Sequence, residues 1–174
     1  MKLKRQLIVG IDQLKKELFN PVKHVIPFKP DGGLWSSTYT PNDKYKSDWL
    51  WYYFNAGHTF HDLSKALTFE FKKGIRVYTV DSYEALLELI RFVGKVEYFK
   101  VPFKTEMNMG INFIKASEFY DVIYLTFKGQ FETKEIYKAN LCTWDCECCY
   151  IMNFDAIDLK SSKPIDLVGF EREV

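Results

Sequence analysis

The sequence predicts a single α+β domain with split, mixed or antiparallel β-sheets and flanking helices, and three observations lead there. Segments with strand character outnumber those with helix character. They do not follow the regular strand–helix–strand alternation that builds a parallel α/β sheet. At 174 residues the chain can bury a real core without dividing readily in two, and no repeat or low-complexity linker marks a boundary.

Taken in order, residues 3–10 read as a first strand. Asp12 can cap a short helix carrying Leu14 and Leu18, which Asn20-Pro21 ends. Residues 22–28 are extended. Pro30-Asp31-Gly32-Gly33 is a turn, because proline presets φ and glycine accepts φ above zero. Residues 34–39 leave it as a strand. Ser47 reads as the cap of a helix over residues 48–54 that stops at Gly57. Residues 67–72 and 75–80 alternate like two paired strands around Lys73-Gly74. Residues 82–93 form a helix. Asp81 and Glu84 have capping-box spacing, Leu86, Leu87 and Ile90 make its apolar face, and Gly94 closes it. Residues 111–119 read as a helix, 121–127 as a strand, 131–141 as a strand or hairpin, and 144–153 as a central strand. Residues 160–174 read as a flexible tail or an edge strand.

Composition narrows the function. The 24 Lys+Arg against 23 Asp+Glu give a net charge of +1, so nothing indicates a protein that coats nucleic acid through phosphate neutralisation. Aromatic residues make up 17%, enough for a dense core or for a base-binding cleft. No stretch approaches the ~18 consecutive apolar residues of a membrane span, and residues 1–10 do not resemble a signal peptide. The expected compartment is the cytoplasm, the host's if the protein is viral, with no membrane partner. Cys142, Cys146, Cys148 and Cys149 lie within eight residues. Such crowding argues against a disulfide framework, and one cluster lacks the two separated pairs of a usual zinc site. His58 and His61 could supply the missing half, but buried small side chains in a strand suit the pattern better, so no metal is expected.

Two segments could carry chemistry. The first runs from Lys29 to Tyr39. Gly32 and Gly33 would let a ligand approach the backbone, Ser36, Ser37 and Thr38 offer hydroxyls, Trp35 a stacking face and Lys29 a cation for a phosphate. The same residues also suit a plain hairpin turn. The second surrounds Asp145 and Glu147. In an extended segment these share a face with Cys149, while Trp144, Cys146, Cys148 and Tyr150 face the other way. Paired carboxylates among apolar neighbours could orient a ribose hydroxyl and stabilise a developing oxocarbenium ion. They also suit a solvent-facing edge.

The order of these segments resembles a known family. Lys29-Pro-Asp-Gly-Gly-Leu-Trp-Ser-Ser37 resembles the KPxGGLWxS segment of small ADP-ribosyltransferase-like proteins of bacteria and phages. Trp49-Leu50-Trp51, the Arg76–Leu86 strand and helix, Phe119-Tyr-Asp-Val-Ile123 and Trp144-Asp-Cys-Glu147 follow in the order that family shows. The resemblance spans residues 22–157. It implies a split β-sheet fold binding NAD in a cleft, with transfer of ADP-ribose to an unidentified acceptor, such as a host target of a phage or mobile element. It makes Ser36-Ser37-Thr38 the counterpart of the family's Ser-Thr-Ser element, Glu147 the catalytic carboxylate and Asp145 its companion toward the acceptor. The implied NAD contacts are Lys29, Gly32, Gly33, Leu34, Trp35, Ser36, Ser37 and Thr38. Where the family carries Arg or His on its first strand, Leu7-Ile-Val-Gly10 has neither, which leaves Arg5 or His24. Two other readings stand beside this one. One is a catalytically inert interaction module that docks a partner or host protein through Trp49, Trp51, Tyr52 and Tyr53. The other is a zinc-stabilised, nucleic-acid-associated domain built on the cysteines.

Overall fold

The structure, a computed structural model, describes residues 2–23, 25–26, 29–58, 62–98, 108–134 and 139–167. In chain order its elements are β1 (Gln6–Val9), β2 (Val25–Ile26), β3 (Lys29–Pro30), β4 (Leu34–Thr38), α1 (Asp48–Asn55), β5 (Ala66–Phe71), β6 (Val77–Val80) and α2 (Tyr83–Val93). There follow β7 (Lys95–Tyr98), β8 (Asn108–Ile111), α3 (Phe113–Phe119), β9 (Val122–Leu125), α4 (Phe127–Thr133), β10 (Cys148–Ile151) and β11 (Ile157–Pro164). They make one domain with a mixed sheet and four α-helices among the described residues.

Seven strands join in the order β11-β5-β1-β4-β10-β9-β6. Every pairing is antiparallel except that of β6 with β9. The sheet has a short seam at its middle, where β1 and β4 pair only through Gln6↔Thr38 and Leu7↔Ser37. Alternation along β10 sends side chains to both faces. Cys148 and Tyr150 join the core that Leu86, Leu89 and Phe113 form beneath α2 and α3. Cys149 and Ile151 join Phe69, Phe154 and Ile157 on the opposite face. A third cluster, with Leu7 and Leu50, seats α1.

The Gly-Gly turn is held by its own chain. Gly32 and Gly33 have φ of +82° and +66°. A Cβ at Gly32 would lie 2.2 Å from the Pro21 carbonyl oxygen, and one at Gly33 would lie 2.5 Å from the Tyr150 ring. Glycine is needed here for the fold's own packing.

Several expected elements are corrected. The turn near Leu18 is a three-residue 3-10 segment (Lys16–Leu18) with no side-chain cap, so Asp12 does not start it. β5 and β6 do not pair. The turn at Lys73-Gly74 carries the chain from β5, beside β1 and β11, to β6 at the far edge next to β9. Residues 67–80 show strand alternation but cannot say which neighbours each strand finds. Ser82, not Asp81, caps α2, its side chain accepting from the Ala85 N–H at 3.2 Å. Phe127 and residues 131–133, expected in strands, belong to α4 (Phe127–Thr133), capped by Thr126, and residues 108–111 before α3 are a strand. The long central strand shrinks to Cys148–Ile151, although its place inside the sheet holds. Residues 157–164 form an edge strand, so this part of the C-terminal segment is ordered against β5.

Candidate functional site

The β10–β4 pairing sets Cys149 opposite Ser36, a register that carries residue 147 to Thr38 at the strand ends. There the Glu147 carboxylate accepts hydrogen bonds from the Thr38 backbone N–H at 3.0 Å and the Thr38 hydroxyl at 2.6 Å. A third donor is the Tyr124 phenol, presented by β9. The Glu147 N–H in turn donates to Asp48 Oδ2 at 2.7 Å, and Asp48 stands in the first turn of α1, just after the Ser47 cap. Two strands, β4 and β9, therefore hold the carboxylate, and α1 holds the backbone beside it.

Glu147 is buried, with 6% of its surface exposed. Burial raises its pKa and Asp48 adds to this, while the bonds from Thr38 and Tyr124 oppose it; the net shift is upward. Tyr124 is pushed up as well, by burial first and then by the charge of Glu147, so it stays a neutral hydrogen-bond donor. Asp145 lies alongside and bonds the Tyr52 phenol, whose pKa is raised by its burial and then by Asp145.

These groups line a cleft of about 730 Å³, inside the roughly 300–1,000 Å³ usual for ligand sites. Glu147, Asp145, Asp48, Thr38 and Tyr124 lie along one part of its wall, and the aromatic side chains of Trp51, Phe127 and Phe131 are half exposed or more around it. Lys2, Lys4 and Lys134 supply positive charge. Gln130 of α4 donates to the Asp145 carbonyl and ties the carboxylate loop to that helix.

The structure brings together only part of the sequence-derived site. Thr38, Asp145 and Glu147 share the large cleft. Lys29, Trp35, Ser36 and Ser37 line a smaller cavity, which Asp145 also reaches. The Ser36 hydroxyl donates to Gln6 Oε1 at 2.9 Å within the sheet. Trp35 packs edge-on against Trp144 at 4.6 Å, a core contact. Gly32, Gly33 and Leu34 line neither. Arg5 bonds Thr68, the Ser161 carbonyl and Glu70, joining β5 to β11, and it also lies outside both. His24 and His61 fall outside the described residues. Cys146, Cys148 and Cys149 are buried and Cys142 exposed; among the described residues no three His, Cys, Asp or Glu side chains gather as metal ligands. No helix among the described residues is long and apolar enough to cross a membrane.

Sequence reading missed Tyr124 and Asp48, and it named Tyr52 only as part of a docking surface. Asp48 was visible only as an acidic residue in a helix's first turn. Tyr124 had a weak signal, being the one polar-tipped residue of Val122–Leu125.

Comparisons with protein-family models, curated proteins and solved structures found no match to this chain.

Proposed function

We propose that this protein binds NAD in the large cleft and transfers its ADP-ribose to an acceptor. One observation carries the reading. Glu147 and Thr38, two of the residues that the resemblance implied from segments more than a hundred positions apart, share direct hydrogen bonds in the wall of a dinucleotide-sized cleft. The donor set suits the substrate. Carboxylates accept from ribose hydroxyls, lysines pair with a pyrophosphate, and exposed rings stack on bases.

In this scheme Glu147, held by Thr38 and Tyr124, accepts a hydrogen bond from a ribose hydroxyl and stabilises positive charge as the glycosidic bond lengthens. Nicotinamide leaves with the electron pair of that bond. The acceptor's nucleophilic atom bonds the sugar carbon and gives up its proton to Asp145. The bonds from Thr38 and Tyr124 favour the carboxylate form of Glu147 against the effect of its burial.

Labelled NAD incubated with the protein and host lysate tests this directly. The wild type should pass label to an acceptor and Glu147→Gln should not. If the folded wild type neither hydrolyses NAD nor labels anything, the protein is not this enzyme. A thermal shift with NAD tests binding separately, since a ligand that prefers the native state raises the melting temperature.

A further inference from the structure

Neighbouring residues of an extended strand point to opposite faces, so Ser37 faces away from the side where Thr38 meets Glu147. On that far side lies a second cavity, of about 120 Å³. Its walls are mostly apolar: Leu7 and Val9 of β1, Trp35 of β4, Trp49 of α1, and Trp144. Ser37 sits opposite Leu7 in the β1–β4 pair and is 2% exposed. Among the described residues, its Oγ is the buried side-chain polar atom with no hydrogen-bond partner. A buried hydroxyl in that state carries a desolvation penalty that a ligand oxygen would relieve.

Charge selects the kind of ligand. Lys29 lines the same cavity and is exposed, with its ammonium 5.1 Å from the centre of the Trp35 ring. Asp145 also reaches the cavity, but its carboxylate bonds Tyr52, a residue of the large cleft. Asp145 keeps its charge but is tied to Tyr52, so the Lys29 ammonium is the charge that lies beside the Trp35 ring of the cavity wall. The volume approaches the roughly 150 Å³ of an apolar protein cavity that admits benzene, and indole faces favour flat rings.

We propose that this cavity binds a single-ring aromatic carboxylate, its ring among the indoles and its carboxylate at the Ser37 hydroxyl and the Lys29 ammonium. The site shares Asp145 with the cleft proposed for NAD but does not depend on that reading.

Benzoate titrated into the full chain is the probe. Tryptophan fluorescence reports on it, because three of the four tryptophans line the cavity. Binding should be saturable and should raise the melting temperature. Benzyl alcohol, which lacks the charge, and cyclohexanecarboxylate, which lacks the flat ring, should bind more weakly. Lys29→Gln, a surface change that leaves the fold intact, should weaken benzoate about tenfold, and Ser37→Ala about fivefold. No saturable response at millimolar benzoate overturns the proposal and leaves an ordered water as the partner of Ser37. Unchanged affinity in both variants, or displacement of benzoate by NAD, also overturns it by putting the ligand elsewhere.

Discussion

Thr38 grips Glu147 twice, through its backbone N–H at 3.0 Å and its hydroxyl at 2.6 Å. The first bond survives any side-chain change and the second does not. Thr38→Val should therefore leave Glu147 in place with one donor fewer, and raise its pKa further. The expected loss is about 1–2 kcal/mol of stability at neutral pH, in line with a buried polar group losing a partner. Urea unfolding measures the stability, and carboxyl NMR titration the pKa.

Glu147 itself sets a pH dependence with a definite sign. Its folded pKa lies above its ordinary value, so the native state holds the proton more tightly than the unfolded chain. Its contribution to stability is fully present below the ordinary carboxylate range and is lost as pH rises through the raised folded value. Glu147→Gln cannot ionise. It should remove that slope and equal or exceed the wild type in stability at neutral pH, while abolishing any NAD chemistry. Stability measured from pH 4 to pH 8, set beside the transfer assay, separates the two effects; a large neutral-pH loss in the variant would contradict this account.

Asp121 has the opposite sign. Burial alone would raise its pKa, but the Arg76 guanidinium, the Arg76 backbone N–H and the Asn153 amide outweigh it and hold the value at about 2. The stabilisation is present above the ordinary aspartate value and is lost as pH falls through about 2. It amounts to about 2 kcal/mol at neutral pH. Asp121→Asn should lose roughly that much and flatten the acid limb of a stability–pH curve.

Two glycines with similar φ separate strain from packing. Gly74, at φ +80°, has open space where a Cβ would stand, whereas Gly33, at φ +66°, meets the Tyr150 ring and the Ile151 carbonyl. Gly74→Ala should cost about 1 kcal/mol, from backbone strain alone. Gly33→Ala should cost about 2 kcal/mol more, because the central strand must shift as well. Thermal unfolding of both variants makes the comparison, and equal losses would show that Tyr150 yields freely.

Local physics made much of this protein legible in its sequence. The Gly-Gly turn, the capped start of α1, the amphipathic face of α2 and the division of β10 between two cores all follow from φ preferences, capping and side-chain periodicity within a few residues. Legibility stopped where the answer depended on distant partners. Alternation identified β5 and β6 as strands, yet it could not place them at separate positions in the sheet, because pairing partners are chosen across the whole fold. The Gly-Gly segment looked like a ligand cradle. Tertiary packing fills its space with Pro21 and Tyr150 and leaves Thr38, at the end of the following strand, to reach the cleft. The sequence by itself determined which residues were chemically able: the hydroxyls of residues 36–38 and the carboxylates of Asp145 and Glu147. Only the tertiary structure decided that Thr38 meets Glu147, that Tyr124 and Asp48 complete its surroundings, and that Ser37 faces another cavity. The reason is geometric. A strand's own residues set which face each side chain takes, but its neighbours in the sheet set what that side chain finds there.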